Sequence, residues 1–561
     1  MNLVAQMMQV KAGLTAPGAP FELISIEKGG ETLQAYKNAP KNLVDVVNAA
    51  RRDDDECFLV YQGERWSFKK FFTEADALAS WLHNEGVKKG QRVAIAMRNR
   101  PEWCVAFVAT ALIGAIPAPL NSFGLGEELN TALEDIEPAV LVCDSDRLKR
   151  LAKENSSPAY KVLLVGEAVS GIDSTSYGEA AQTTGELPEV KLKDDDPALV
   201  LFTSGATSRA KAVVSSQMAV SQALFNIDYI SAISAMTSPD VVKKIQAAAL
   251  PPVILTAVPL FHVSGLHAQF LTALRTGRRL VFMHRWEPET ALETIKEEKV
   301  TQFNGAPSMV MQLLREPGFQ DKQIMEQFAG LGFGGAGIPA SLIGKVLDAM
   351  PEQMVGNGFG MTECNGAASA ISGELFRLRP RASGLITPIA QVRIRSLDGG
   401  ELDVGETGEI QIKGVTVMEG YLNNPAETAE AISEDGWLRT GDLGYVDEDG
   451  FLFIVDRLKD VINRSGENIA AAEVESCLLH HELVIEAAVF GIPDEETGEA
   501  VVAVVHLKSG EEVSEQELQR FVSGHLATYK VPAKIQIIEK QLPRNSAGKL
   551  LKVKLKKEIF A

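Results

Sequence analysis

The chain has 561 residues, 45% of them hydrophobic and 23% charged, an ordinary globular composition long enough for several domains or subdomains that each bury a core. Its 55 Lys and Arg against 74 Asp and Glu leave a net charge of −19, which argues against a duplex nucleic-acid binder, since that task needs a basic surface. Five cysteines, Cys57, Cys104, Cys143, Cys364 and Cys477, are odd in number, scattered and free of any CxxC pair, which speaks against a disulfide framework and for a reducing, cytoplasmic setting.

Residues 1–40 show neither a signal-peptide pattern nor sustained periodicity and are expected to drape over the body of the protein. An amphipathic helix is predicted from Phe68 to Glu85, with Ser67 as N-cap and Gly86 as stop, then a buried strand from Arg92 to Met97 and a helix from Pro101 to Ile113. Strands follow at Ala139–Cys143, Lys161–Val165, Ala198–Phe202, Val253–Val258 and Arg279–Phe282, with helical segments between several of them, which implies sheets covered on both faces. The uncharged runs Trp103–Leu120 and Ile245–Leu274 carry prolines, and the second two histidines, so both read as buried core and not as membrane spans. After about residue 383 the texture changes to short strands with tight turns at Asp398-Gly-Gly400, Asp435-Gly436 and Asp449-Gly450. The last hundred residues return to a small α/β pattern with a helix at Ala472–Leu479, strands at Ile485–Gly491 and Ala500–Leu507, a helix at Glu515–Leu526 and a basic tail.

Four segments carry chemistry. Leu199 to Lys211 is an apolar strand running into Thr203, Ser204, Gly205 and Thr207, then Arg209 and Lys211: a loop able to cradle phosphate oxygens, without Walker A spacing. Gly358-Phe-Gly-Met-Thr-Glu363 suits a backbone pressed against a flat ligand and offers Thr362 and Glu363 oxygens to Mg²⁺. Thr440-Gly-Asp442, with Arg457 further on, has the carboxylate and cation that recognise vicinal hydroxyls. Pro543-Arg-Asn-Ser-Ala-Gly-Lys549 places a lysine after a flexible glycine near the C-terminus. Taken singly, each has a plain structural reading: a polar loop, a glycine-rich turn, a solvated tail.

In this order and spacing they resemble the adenylate-forming superfamily of acyl-CoA synthetases, nonribosomal adenylation domains and luciferases, over roughly residues 45–557. Pro259-Leu-Phe-His-Val-Ser-Gly265, Phe303-Asn-Gly-Ala-Pro-Ser308, Gly334-Gly-Ala-Gly337, Val417-Met-Glu-Gly-Tyr421 and Arg464-Ser-Gly-Glu-Asn-Ile469 add to the match. The resemblance implies an α/β fold: a large N-terminal domain, 1–458, of two α/β sheets plus a β-rich subdomain at about 383–458, and a small mobile C-terminal lid, 459–561, hinged at Lys459. It implies a carboxylate activated by ATP with Mg²⁺ as an acyl adenylate, then captured by the thiol of CoA. By the same match, Lys549 bridges carboxylate and α-phosphate; Thr203, Ser204, Gly205, Thr207 and Lys211 hold the outer phosphates. Glu363 supports the metal and Thr362 touches the α-phosphate, while Gly335, Ala336, Phe359 and Gly360 bound the adenine. Asp442 and Arg457 hold the ribose, His262 gates the acyl pocket, and the loop Ser465, Gly466, Glu467 serves the thiol step.

The chain departs from the family where Ser208, Arg209, Ala210, Lys211 and Ala212 replace a Gly-x-Pro-Lys-Gly ending, which stiffens the phosphate loop and adds the Arg209 charge. The leading expectation is an acyl-CoA synthetase for a fatty or other apolar acid. A stand-alone adenylating enzyme that loads a carrier protein, and a catalytically weak nucleotide- or acyl-binding relative, are the alternatives. Trp286 lines an acyl tunnel or packs in the core, and Gly366–Gly373 either leaves room for a bulky acid or packs as a tight helix. The expected partners are small molecules, with peripheral membrane contact left open.

Overall fold

The computed structural model describes residues 3–153, 159–203, 209–334, 338, 340–396, 398–465, 467–545 and 548–560, with backbone alone at 340 and 341. Among them, thirteen strands form one mixed sheet. Its parallel part joins Cys57–Tyr61, Arg279–Phe282, Val253–Thr256, Gln302–Gly305, Gly330–Phe333 and Met354–Met361, so all six point their C-terminal ends the same way. From Met354–Met361 the sheet continues antiparallel through Gly366–Ser372, Gly384–Ile386, Phe451–Arg457, Leu438–Val446, Gly408–Gly414 and Ala390–Arg395. The short strands expected after residue 383 thus extend this sheet. Gly366–Ser372 is one of its strands, which corrects the helical alternative for that stretch.

A second, parallel sheet joins Ile116–Pro119, Arg92–Ala96, Val140–Asp144 and Lys161–Val165, with Thr175–Ser176 at its edge. The helix Phe68–Asn84 starts where Ser67 accepts the Lys70 backbone N–H at 3.1 Å and buries Phe71, Phe72, Ala75, Leu78 and Leu82 on one face. Beside it the helix Pro101–Leu112 is buried almost all round. No helix among the described residues is long and apolar enough to cross a membrane. The α/β class follows from these covered parallel strands.

Residues 3–36 do more than drape. A helix, Leu3–Thr15, buries Met7 and Leu14, and the hairpin of Leu23–Lys28 with Glu31–Tyr36 brings Tyr36 into an aromatic cluster with Phe21, Phe225 and Tyr229. The C-terminal strands Val461–Arg464, Glu467–Ala470, Gly498–Leu507, Val484–Asp494 and Lys534–Ile538 form a sheet of their own, with a core of residues such as Ile462, Val474, Val489, Val505 and Leu518. The five cysteines are free, four of them buried.

Candidate active site

A cavity of about 2740 Å³ opens at the C-terminal ends of the parallel strands, the usual ligand position in such sheets. On its floor, Met354–Met361 carries Phe359 and Gly360. A Cβ on Gly360 would overlap the Gly366 carbonyl, so only glycine lets the returning strand pair this closely. Between the two strands, Thr362–Cys364 forms a single tight turn, and Asn365 at φ 57° reverses the chain. Glu363 is thereby buried, its Oε1 accepting from the Tyr421 hydroxyl at 3.1 Å. Burial pushes its carboxyl pKa up, and the Lys549 and Lys211 charges pull it back.

The ladder between Leu438–Val446 and Phe451–Arg457 pairs Asp442 directly with Arg457, whose Nε lies 3.4 Å from the Asp442 carboxylate. Thr440 Oγ1 donates to the Ile410 carbonyl at 2.7 Å and accepts from the Asp442 N–H at 3.1 Å, which fixes the turn into the site. Burial raises the Asp442 pKa against the pull of Arg457 and Lys549.

Lys549 arrives from the C-terminal sheet's side of the cavity. Arg544 pairs with Glu486 at 2.7 Å and donates to the Gly548 carbonyl at 2.8 Å, while the Lys549 N–H donates to Asn545 Oδ1 at 2.9 Å. Gly548, at φ +78°, leaves no room for a side chain: a Cβ there would stand 2.8 Å from the Ala306 Cβ. This close approach docks the loop on the large sheet and holds the ammonium inside. Burial first, then the Arg457 charge, lower the Lys549 pKa to about 8, with Asp442 and Glu363 acting the other way. His262 sits at the start of the turn Val263–Gly265, its Nε2 buried without a hydrogen-bond partner among the described residues, and burial together with Lys549 brings its pKa down to about 4. It is a neutral imidazole at physiological pH.

A strand, a hairpin and a docked loop, far apart in sequence, so place a lysine, an Asp–Arg pair and a buried glutamate around one cavity. The family of AMP-binding enzymes matches residues 46–422, and the C-terminal domain of the same family matches residues 473–549. The chain belongs to the AMP-binding enzymes. The 4-coumarate–CoA ligase 1 of Solanum tuberosum is 31% identical to it over 535 residues, 94% of this chain and 95% of that one. Among solved structures, ATP-bound MatB from Rhodopseudomonas palustris superposes with a TM-score of 0.81 at 27% identity, covering 92% of this chain and 99% of the other. The o-succinylbenzoate CoA synthetase of Bacillus subtilis, in complex with ATP and magnesium ion, does so with a TM-score of 0.72 at 29% identity over 91% and 98%.

Within this AMP-binding enzyme, Thr203, Lys211, His262, Phe359, Gly360, Thr362, Glu363, Asp442, Arg457, Lys459 and Lys549 all line the same cavity. Ser465 and Glu467 do not: they lie exposed at the turn between Val461–Arg464 and Glu467–Ala470, outside the cavity lining. Ser204, Gly205, Thr207, Gly335, Ala336 and Gly466 lie outside the described residues. Arg209 is paired with Asp135, and Lys211 reaches Glu427 at 2.7 Å. Trp286 stacks on Phe303 at 5.2 Å and donates to Gln312 Oε1 at 2.7 Å; it is absent from the cavity lining, so the core reading holds for it. Sequence reasoning gave no role to Tyr421 or Glu427, whose partners Glu363 and Lys211 lie far away along the chain. Among the described residues no three carboxylate, His or Cys side chains group into a metal cage. One buried carboxylate, Glu363, lining the cavity fits Mg²⁺, which commonly takes one or two carboxylates with substrate phosphates.

Proposed function

We propose that this enzyme is an ATP-dependent acyl-CoA synthetase. The observation that carries the reading is the burial of the Lys549 ammonium in the cavity that also holds the Asp442–Arg457 pair and Glu363. In the first step a carboxylate oxygen of the acid attacks the α-phosphorus of ATP, and the bond to pyrophosphate breaks. Lys549 lies between the two anions and neutralises charge as they meet, a positioning and electrostatic role. Asp442 accepts hydrogen bonds from the ribose hydroxyls with Arg457 beside it. Phe359 and Gly360, with Gly335 and Ala336, bound the adenine, and Thr362 touches the α-phosphate. Thr203, Ser204, Gly205, Thr207 and Lys211 hold the outer phosphates, Lys211 leaving Glu427 to do so. Glu363 would hold Mg²⁺, which when bound neutralises phosphate charge.

In the second step the CoA sulfur attacks the acyl carbon, AMP leaves and the thiol proton passes to solvent. The residues 459–561 act as a lid hinged at Lys459, which swings Lys549 out and brings the turn of Ser465, Gly466 and Glu467 toward the thiol, with His262 as gate. The acid has a fatty or aryl body beyond its carboxylate; the aryl form is favoured by relatives named for 4-coumarate. Transfer to a carrier protein is the second reading of the acceptor, and the cytoplasm is the proposed compartment.

The test is pyrophosphate and AMP release from Mg-ATP across acetate, long-chain fatty acids and aryl acids, each with and without CoA. Pyrophosphate release followed by CoA-dependent AMP release is the expected result. Pyrophosphate without a CoA effect would move the reading to another acceptor, and no release with any acid would refute it.

A further inference from the structure

The cavity does not end at the nucleotide side. It continues along the parallel sheet, under the helix Gln217–Thr237, to the N-terminal ends of the strands. Gly305 and Ala306 line one end and Thr301 and Gln302 the other, so the trough runs from Thr301 to Gly305, four residue rises or about 13 Å at ~3.3 Å each. Its strand floor is polar. The Asn304 side chain lies over Gly332, where a Cβ would collide with it, and makes no hydrogen bond to a described residue. Gln269 is 1% exposed, and its Oε1 has no hydrogen-bond partner among the described residues.

At the far end stands Arg278. It follows the turn at Gly277, lines the cavity and donates from Nη1 to Gln302 Oε1 at 3.0 Å. It has no carboxylate within ion-pair distance among the described residues. Asp228, whose charge reaches it, is already paired with Arg275, and Lys244 at the same mouth is paired with Glu352 at 2.6 Å. Burial lowers its pKa, the cost of a guanidinium enclosed without a counter-ion. A purely alkyl tail would cover this strip, leaving the Arg278 charge without a counter-ion and the Asn304 side chain and Gln269 Oε1 without water.

We propose that Arg278 selects the far end of the acid, so that the enzyme prefers long acids carrying a second anionic or hydrogen-bond-accepting group about 13 Å from the reacting carboxylate, the length of the trough. The proposal rests on the synthetase reading above and sharpens its substrate class. A charge-assisted hydrogen bond in an enclosed site corresponds to about a 10- to 100-fold preference.

The experiment compares kcat/KM for pyrophosphate release with dodecanedioate and with dodecanoate, in the wild type and in R278M and R278K. The ratio of the two acids is read within each variant, so a general loss of stability cancels. A wild-type ratio favouring the diacid at least tenfold, abolished in R278M and partly kept in R278K, is the expected result. A wild-type preference for dodecanoate, or a ratio unchanged in R278M, would overturn the proposal while leaving the synthetase reading intact. Were neither acid to release pyrophosphate, calorimetric binding of the same two acids to wild type and R278M decides the proposal separately: tighter diacid binding lost in R278M supports it, equal binding overturns it.

Discussion

The two ends of the cavity are built on opposite terms. At the nucleotide end the charges come in pairs, Asp442 with Arg457 and Lys211 with Glu427, and Gly360 lets the strands Met354–Met361 and Gly366–Ser372 approach closely. At the acyl end Arg278 has no carboxylate within ion-pair distance and Gln269 Oε1 no hydrogen-bond partner among the described residues, and with Asn304 they line an open trough. The first end is preorganised for a ligand of fixed shape; the second leaves its polar demands to be met by the substrate. Lys549 stands where the two meet.

Removing that link gives the largest effect. K549A is expected to slow acyl-adenylate formation about a hundred- to a thousandfold, the range for losing one preorganised charge at a developing anion, while AMP release from a supplied acyl adenylate and CoA changes far less. Equal losses in the two half-reactions would sink the assignment. D442A comes next: with the proposed ribose contact gone, KM for ATP should rise roughly tenfold to a hundredfold while KM for the acid stays put. A rise in the acid KM instead would erase the distinction between the two ends.

How far each end could be read from the sequence follows the same division. The nucleotide end is local: Gly358 to Glu363, Thr440 to Asp442 and Pro543 to Lys549 each fold as one short unit, so their residue types announce the chemistry. The helix at Phe68 was legible for a similar reason, because Ser67 and a regular apolar stripe fix it within a few turns. The helix Leu3–Thr15 was not; it has no acidic first turn or basic last turn, and its burial depends on packing against the distant helix Gln217–Thr237. The trough fails likewise. Arg278 meets Gln302, and shares the trough with Asn304, only because Arg279–Phe282 and Gln302–Gly305 flank Val253–Thr256 in the sheet, a relation that nothing in their spacing reveals.

A smaller effect separates the ends by charge. Lys549 is held near a pKa of about 8, so kcat/KM for ATP should stay level below that pH and fall about tenfold per unit above it as the ammonium is lost. Because Asp442 supports the charged form, D442N should move this limb to lower pH, whereas R278M, remote from the groups that act on Lys549, should leave its position alone. A pH-rate titration of the three proteins decides it; a limb that stays put in D442N would show that Lys549 does not set it.

The smallest effect concerns His262, at the junction of the two ends. Its folded-state pKa of about 4 lies below the ordinary value of 6.5, so the folded protein favours the neutral ring and the unfolded chain binds the proton more readily. The stability tied to this group is therefore complete above pH 6.5 and is lost as pH falls toward 4, by up to about 2 to 3 kcal/mol. Buried Glu363 and Asp442, with raised pKa values, act in the opposite sense, so the wild-type curve alone does not isolate the histidine. H262L removes a ring that makes no hydrogen bond to a described residue. Urea unfolding at pH 7 and pH 4.5 should show the variant losing about 2 kcal/mol less than wild type on acidification. Equal losses would mean that water or movement of Lys549 relieves the buried imidazolium, and that the junction is wetter than the nucleotide end it adjoins.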